Sequence, residues 1–395
     1  MKLVSILWPS NYPNFEADSI FVFNRMLLRH LAEFPGLDVT ILGPRGMPPV
    51  AEQVSHHTIE LGRNKFSVRL GFPWAEMRDA LAELKPDVVF VNMPEQALAL
   101  RILVREELRL NTRIVTYVHY VPGNVTEGSG DIVVEPGMDH AGGGQLILVR
   151  LLECLYASDL VLTCSNFARN TLMSMAERLF GPDQTSAPIE VLHPPIDLAE
   201  VEAAGCRDES GVARIVYNHR LYNEYGTWDI FNLLDELYDE GNSEFRVLVT
   251  NPTGARNRER DTINPQVTRN IEVLAKKPYV DLQHFDRRND YYVALKQSVA
   301  GIAPMKANAL WSMSVVDVLA VGRPVVAFNI ASFSEIGLPV RDLVPDGSSF
   351  KARITQILHQ SSSHKNQHVE ELTNLANQYS AERVAFRFNN QIMAL

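Results

Sequence analysis

The chain has 395 residues, 46% of them hydrophobic and 21% charged, with a formal net charge of −10. This composition excludes a disordered chain and gives room for roughly two or three domains; the acidic balance argues against a generally basic nucleic-acid binder but leaves a local basic groove open. No apolar run approaches the about 18 residues of a membrane span and no basic-then-apolar leader opens the chain, so the cytosol is the expected compartment.

In chain order, Lys2 to Leu7 reads as an apolar strand, followed by a turn-rich loop from Trp8 to Pro13. Asp18 or Ser19 can cap a helix whose apolar positions Phe23, Leu27, Leu31 and Phe34 recur at helical spacing. Asp38 to Leu42 is a second strand, Trp74 to Leu84 a helix and Pro86 to Val91 a third strand. Arg113–Val118, Leu160–Cys164 and Ile189–Leu192 continue the strand series. Strands alternating with helices imply parallel sheet covered on both faces. Residues 121–145 read as a long loop rich in glycine and acids, a length that marks functional loops. The three cysteines, Cys154, Cys164 and Cys206, have no metal-ligand or redox spacing and read as buried thiols.

His193-Pro-Pro-Ile-Asp197 breaks the rhythm, because two prolines favour a stiff extended segment. The alternation then restarts with strands at 213–217, 245–249, 279–283 and 299–302 and helices at 228–240, near 265–277 and at 289–297. The expected architecture is α/β, with two Rossmann-like doubly wound domains facing a cleft. The expected boundaries are 1–195, 196–378 and a final segment 379–395 returning to the first domain. Ligands in open parallel sheets bind at the carboxyl ends of the strands, so two facing sheets suit two substrates and the exclusion of water.

Ala309 to Val326 reads as a helix, a glycine stop and a buried strand. Ser312 or Ser314 can cap the helix, and Met313, Val316 and Ala320 give it an apolar face. Gly322 suits the left-handed C′ position and Pro324 cannot continue a helix. Asp317 is the one acid in this apolar helix; spacing alone leaves a solvated outer-face residue and a functional carboxylate both open.

Several segments together resemble the GT-B glycosyltransferases, in their retaining, nucleotide-sugar-dependent branch. These are Lys85–Val91, Ser158–Ser165, Val191–Asp197, His219-Arg-Leu-Tyr-Asn-Glu-Tyr-Gly226 and Asp317-Val-Leu-Ala-Val-Gly-Arg-Pro-Val-Val326, and the resemblance covers nearly the whole chain. It implies the GT-B fold, an N-terminal acceptor domain and a C-terminal nucleotide-sugar domain. It places Asp317 on the donor ribose, with Ser314 close by, and Arg220 on the diphosphate, where a permanent cation stabilises leaving-group charge. On the ribose reading, Asp317→Ala weakens donor binding by about 1–3 kcal/mol and leaves fold stability nearly unchanged. The family's first glutamate falls at Ala309 and its lysine at Tyr225, two departures from the pattern. Arg256, with Arg258 and Arg260, is positioned to compensate for the missing lysine, a solvated basic loop being the alternative. His119, directly after a strand, matches a family histidine beside the donor sugar, and its neutral ring is expected to donate to a sugar hydroxyl. Retaining transfer in this family is not thought to use an enzymic base, so none is nominated.

Acceptor contacts are expected in the loop Ser10–Asp18, at Asn11, and in 121–145, at Glu127 and Asp131. No metal site and no cofactor is expected; the donor is a substrate, with a UDP-sugar the default. The Asn218-His219-Arg220 triplet resembles glycosyltransferases of modified nucleobases. With the basic residues Arg256, Arg258, Arg260, Arg269, Lys276, Lys277, Arg287 and Arg288 it points to a hydroxymethylated base in DNA or tRNA as acceptor. The alternatives are a glycan, lipid or small-molecule acceptor, a nucleotide-sugar epimerase, and a non-catalytic sugar-nucleotide binder.

Overall fold

The computed structural model describes residues 1–9, 15, 18–60, 65–125, 131–134, 143–181, 186–205, 211–241, 244–250, 265–304, 309–359 and 368–395. The chain divides into two compact units, Met1–Pro195 with Ala381–Leu395, and Ile196–Ser380.

The first unit is built on a seven-stranded sheet of β1 (Lys2–Ile6), β2 (Asp38–Gly43), β3 (Ser55–Thr58), β4 (Val88–Val91), β5 (Arg113–Val118), β8 (Leu160–Thr163) and β9 (Ile189–Val191). The order is β3-β2-β1-β4-β5-β8-β9, every pair parallel. Val88–Val91 is buried at every position, the pattern of a strand covered on both faces. The order reverses direction at β1/β4, which pair in register from Leu3↔Val88 to Ile6↔Val91. Helix α1 (Ser19–Leu31) is capped by Asp18, whose Oδ1 accepts from the Ile20 and Phe21 amides, each at 3.0 Å. Asp18 is fully buried in this cap, so it does not serve as an acceptor contact. The other helices of this unit are α2 (Lys65–Leu70), α3 (Trp74–Leu84), α4 (Ala97–Ile102), α5 (Gly143–Ala157) and α6 (Asn166–Phe180). The closing helix Ala381–Met393 packs here: Phe388 meets Phe90 at 4.8 Å and Phe386 meets Phe34 at 6.4 Å.

The expected long loop at 121–145 is in part ordered structure. β6 (Gly123–Val125) and β7 (Ile132–Val134) form an antiparallel ribbon, and α5 begins at Gly143. The ribbon needs glycine at 123, since a Cβ there would lie 2.6 Å from the Val133 carbonyl oxygen.

The second unit carries a six-stranded parallel sheet of β10 (Ala213–Tyr217), β11 (Phe245–Thr250), β12 (Val280–Gln283), β13 (Ala300–Ile302), β14 (Val325–Phe328) and β15 (Leu343–Val344). Its order is β12-β11-β10-β13-β14-β15, so direction reverses at β10/β13. Alternate residues serve two cores: Val216 and Leu248 face one, Ile215, Tyr217, Val247 and Val249 the other. The helices are α7 (Leu198–Ala203), α8 (Thr227–Asp239), α9 (Pro265–Leu274), α10 (Arg288–Gln297), α11 (Met313–Ala320), α12 (Ala331–Glu335), α13 (Gly347–His359) and α14 (Val369–Asn377). Asp197 caps α7 by accepting from the Ala199 and Glu200 amides.

In α11 the cap is Ser312, which accepts from the Val315 amide at 3.3 Å. Gly322 closes the helix with φ +73°, and a Cβ there would meet Val369 Cγ1 at 2.7 Å. Gly322→Ala therefore combines a left-handed backbone with a steric clash, and should cost about 1–3 kcal/mol in denaturant unfolding. In a Val369→Ala background part of that loss should disappear; an equal loss in both backgrounds would show that Val369 plays no part.

Candidate functional site

Each sheet opens its switch point at the carboxyl ends of two neighbouring strands, where ligands of such sheets bind. Each of these two places carries a chain of polar side chains.

In the first unit the chain runs Ser5, Asn24, Asn92, His119. Ser5 Oγ donates to Asn24 Oδ1 at 3.0 Å and Asn92 Nδ2 donates to the same oxygen at 3.0 Å. Asn24 Nδ2 donates to the Ile20 carbonyl at 2.8 Å, and His119 Nε2 lies 2.7 Å from Asn92 Oδ1. Ser5, Asn24 and Asn92 are buried, on β1, on α1 and just past β4; His119 follows β5. Burial pushes the His119 pKa down to about 3, so the ring is neutral near pH 7. Tyr117 and Phe23 pack on that ring, with centroids at 4.4 and 4.7 Å.

In the second unit, Asn218-His219-Arg220 follows β10. Asn218 Nδ2 donates to the Tyr291 hydroxyl and to the Ser314 carbonyl, each at 2.8 Å, and Ser314 Oγ donates back to the Asn218 carbonyl at 2.7 Å. Ser314 thus ties the turn after β10 to α11. Tyr291 and Tyr292 donate to Asp317 Oδ2 and Oδ1 at 3.0 and 3.2 Å. Arg288 lies 3.9 Å from Asp317 Oδ1, bonds to the Tyr292 hydroxyl and pairs with Glu200 at 2.9 Å. Asp317 is 8% exposed, which overturns the solvated-face alternative. Burial raises its pKa, opposed by Arg288 and the two tyrosine hydroxyls.

Arg220 makes no ion pair among the described residues; its guanidinium carbon lies 5.9 Å from the centroid of the Tyr222 ring. Tyr225 packs edge-on against Tyr222 at 5.2 Å. Tyr225, which the resemblance sets at a lysine position, therefore meets the edge or face of the same Tyr222 ring that Arg220 lies over. His219 is also held neutral by burial, with its pKa down at about 3.

The structure brings Asn218, Ser314 and Asp317 into one hydrogen-bonded network, and sets Arg220 and Tyr225 each against Tyr222. Asp131 is exposed at the edge of the β6–β7 ribbon. Asn11, Glu127 and Arg256 lie outside the described residues. Sequence reasoning missed Asn24, Asn92, Tyr291 and Tyr292; an asparagine inside an otherwise apolar helix face and a tyrosine pair were the available signals. Among the described residues no group of three or more His, Cys, Asp or Glu side chains is placed to hold a metal ion, and no helix is long and apolar enough to cross a membrane.

Residues 21–200 match the family model Glycosyltransferase Family 4. No curated protein sequence matches the chain. Solved structures match it over its whole length. Sucrose-phosphate synthase from Thermosynechococcus elongatus is 12% identical, with TM-score 0.75, covering 100% of this chain and 98% of that one. An E. coli trehalose-6-phosphate structure bound with UDP-2-fluoro glucose is 13% identical, with TM-score 0.67, covering 100% and 99%. A UDP-forming α,α-trehalose-phosphate synthase from Burkholderia xenovorans is 13% identical, with TM-score 0.66, covering 99% and 98%. The fold is GT-B, two parallel-sheet α/β domains. Within this fold, residues 21–200 carry the match to the glycosyltransferase family.

The network corrects the expectation that Asp317 is neutral for stability. Asp317→Ala strips the acceptor from the two phenols and leaves Glu200 as the carboxylate facing Arg288. Stability should fall by about 3 kcal/mol in equilibrium unfolding. A loss below about 0.5 kcal/mol would mean that the network contributes nothing net.

Proposed function

We propose that the protein transfers a sugar, with retention, from a UDP-sugar to a hydroxyl of a small sugar-type acceptor. The first unit takes the acceptor and the second the nucleotide sugar. The observation that carries this reading is Arg220, at the switch point of the second sheet, lying over the Tyr222 ring against which Tyr225 packs, and matched to no carboxylate among the described residues. As the bond from the anomeric carbon to the leaving phosphate breaks, charge grows on that phosphate, and a fixed cation there stabilises the transition state. The acceptor oxygen bonds to the anomeric carbon on the same face, and its proton goes to the departing phosphate oxygen. Asp317, held by two tyrosines, keeps lone pairs for the ribose hydroxyls. Ser314 and Asn218 fix the turn that presents Arg220. Asn11, Glu127 and Asp131 remain the proposed acceptor contacts and Arg256 a second diphosphate cation.

The sugar-type acceptor is preferred to a DNA or tRNA base for two reasons. The matched structures named above include sucrose-phosphate and trehalose-phosphate synthases. The basic wall expected of a nucleic-acid binder is also partly neutralised from within: Lys277 pairs with Asp235 at 2.7 Å, and Arg288 with Glu200.

The test is incubation with UDP-, GDP- and ADP-sugars, with and without sugar phosphates, free sugars and modified-base oligonucleotides, measuring released nucleoside diphosphate and the product's anomeric configuration. UDP release that depends on a sugar acceptor is expected. Labelled oligonucleotide would restore the nucleobase reading, and a changed sugar without acceptor would indicate an epimerase. Arg220→Ala should lower kcat on the order of 10²-fold with a smaller change in KM. Normal turnover with only a raised KM would remove Arg220 from the leaving-group role.

A further inference from the structure

The polar chain in the first unit has a fixed direction. The Ile20 carbonyl can only accept, so the group that Asn24 turns to it at 2.8 Å is the amide Nδ2. Asn24 Oδ1 then points the other way and receives both the Ser5 hydroxyl and Asn92 Nδ2. That leaves Asn92 Oδ1, an acceptor, against His119 Nε2 at 2.7 Å. Nε2 must therefore bring the proton. Reversing either amide sets oxygen against oxygen inside a buried site, where an unmade hydrogen bond is costly. Turning the ring over would put the carbon Cε1 in place of Nε2 against Asn92 Oδ1, and Tyr117 and Phe23 pack against the ring in its present orientation.

We propose that Asn24 and Asn92 are positioning residues that lock His119 as its Nε2–H tautomer, so that Nδ1 acts as a hydrogen-bond acceptor for a hydroxyl of the sugar substrate. This reverses the polarity expected from the sequence, in which the ring donated to that hydroxyl. It sets a specificity rule: the contacted position of the sugar must carry a group that can donate. The tautomer half rests on the free protein alone; the hydroxyl half rests on the glycosyltransferase reading.

Two measurements test it. In nitrogen-15 NMR of the free protein, with the His119 signals assigned by their loss in His119→Gln, Nε2 should give a protonated, pyrrole-type resonance and Nδ1 a pyridine-type one. Asn92→Ala should move both toward the average of two exchanging tautomers. A pyridine-type Nε2 in the wild type, or an unmoved pattern in Asn92→Ala, overturns the lock. The second measurement compares deoxy and deoxyfluoro forms of a turned-over donor and acceptor, position by position. Fluorine accepts but cannot donate, so at the contacted position both forms should lose kcat/KM to the same degree, on the order of tenfold. Asn92→Ala should shrink that loss. A fluoro sugar that keeps the activity its deoxy analogue loses would make the ring a donor and overturn the proposal. Equal turnover across every analogue would overturn the acceptor role. Turnover of the parent sugar reports separately on the glycosyltransferase reading.

Discussion

Parallel pairing within each large sheet is the constraint on which both polar sites depend. Parallel strands all end on the same edge of a sheet, so every turn after a strand of the seven-stranded sheet opens on one side, as it does in the six-stranded sheet. Where the strand order reverses, the two adjoining connections leave over opposite faces and a crevice opens between them. Asn92 and His119 stand at that edge in the first sheet; Asn218 and Arg220 stand there in the second. Each group is completed by residues distant in the chain, Ser5 and Asn24 in the first and Ser314 in the second. The sheet order alone brings residue 5 to residue 92, and residue 218 to residue 314.

Each site then has to solve a burial problem. An ionised carboxylate taken out of water is costly unless hydrogen bonds and an opposite charge replace its hydration. Asp317 has both, from Tyr291, Tyr292 and Arg288. These partners all lie on α10, and Arg288 reaches on to Glu200 of α7. One acidic side chain thereby fixes the spacing of α10 and α11 and, through Arg288, of α7. In the first unit the same problem is solved without charge. Two asparagines, a serine and a neutral imidazole satisfy one another, which gives them a fixed donor-to-acceptor direction.

What the sequence made legible were features with short-range causes. Asp18 as a cap, Gly322 at positive φ, and the strands around Val88 and Val325 follow from local chemistry and periodicity. The capping serine was ambiguous between Ser312 and Ser314, because both precede the same helical face. The structure gives the cap to Ser312 and sends Ser314 to Asn218, 96 positions away. Contacts of that range leave no trace in local spacing. The same is true of Tyr291 and Tyr292: both are buried or half-buried on a helix that looks polar overall, and their reason for being there is Asp317. The helix Gly143–Ala157 was hidden for a different reason. Glycines at its start imitate a loop, although Ile147, Leu148, Leu151 and Leu155 supply its buried face.

The two departures from the glycosyltransferase pattern differ in physical weight. Ala309 offers no polar group, so nothing at that position replaces a carboxylate. Tyr225 exchanges a mobile cation for a ring that packs against Tyr222, the ring Arg220 lies over. A cation over an aromatic face is worth about 0.5–1 kcal/mol at an exposed site, less than the roughly 1.5–3 kcal/mol of a charge-assisted hydrogen bond. If Arg220 holds the donor diphosphate as proposed, these rings cannot equal a second cation in binding it in the ground state. Their effect lies in orientation: a guanidinium already held against a ring loses less rotamer freedom when phosphate arrives, and needs less movement as charge develops on the leaving oxygen. On the role proposed for Arg220, a tyrosine at 225 would weaken donor binding more than it slows transfer, because preorganisation acts where the transition-state charge is largest.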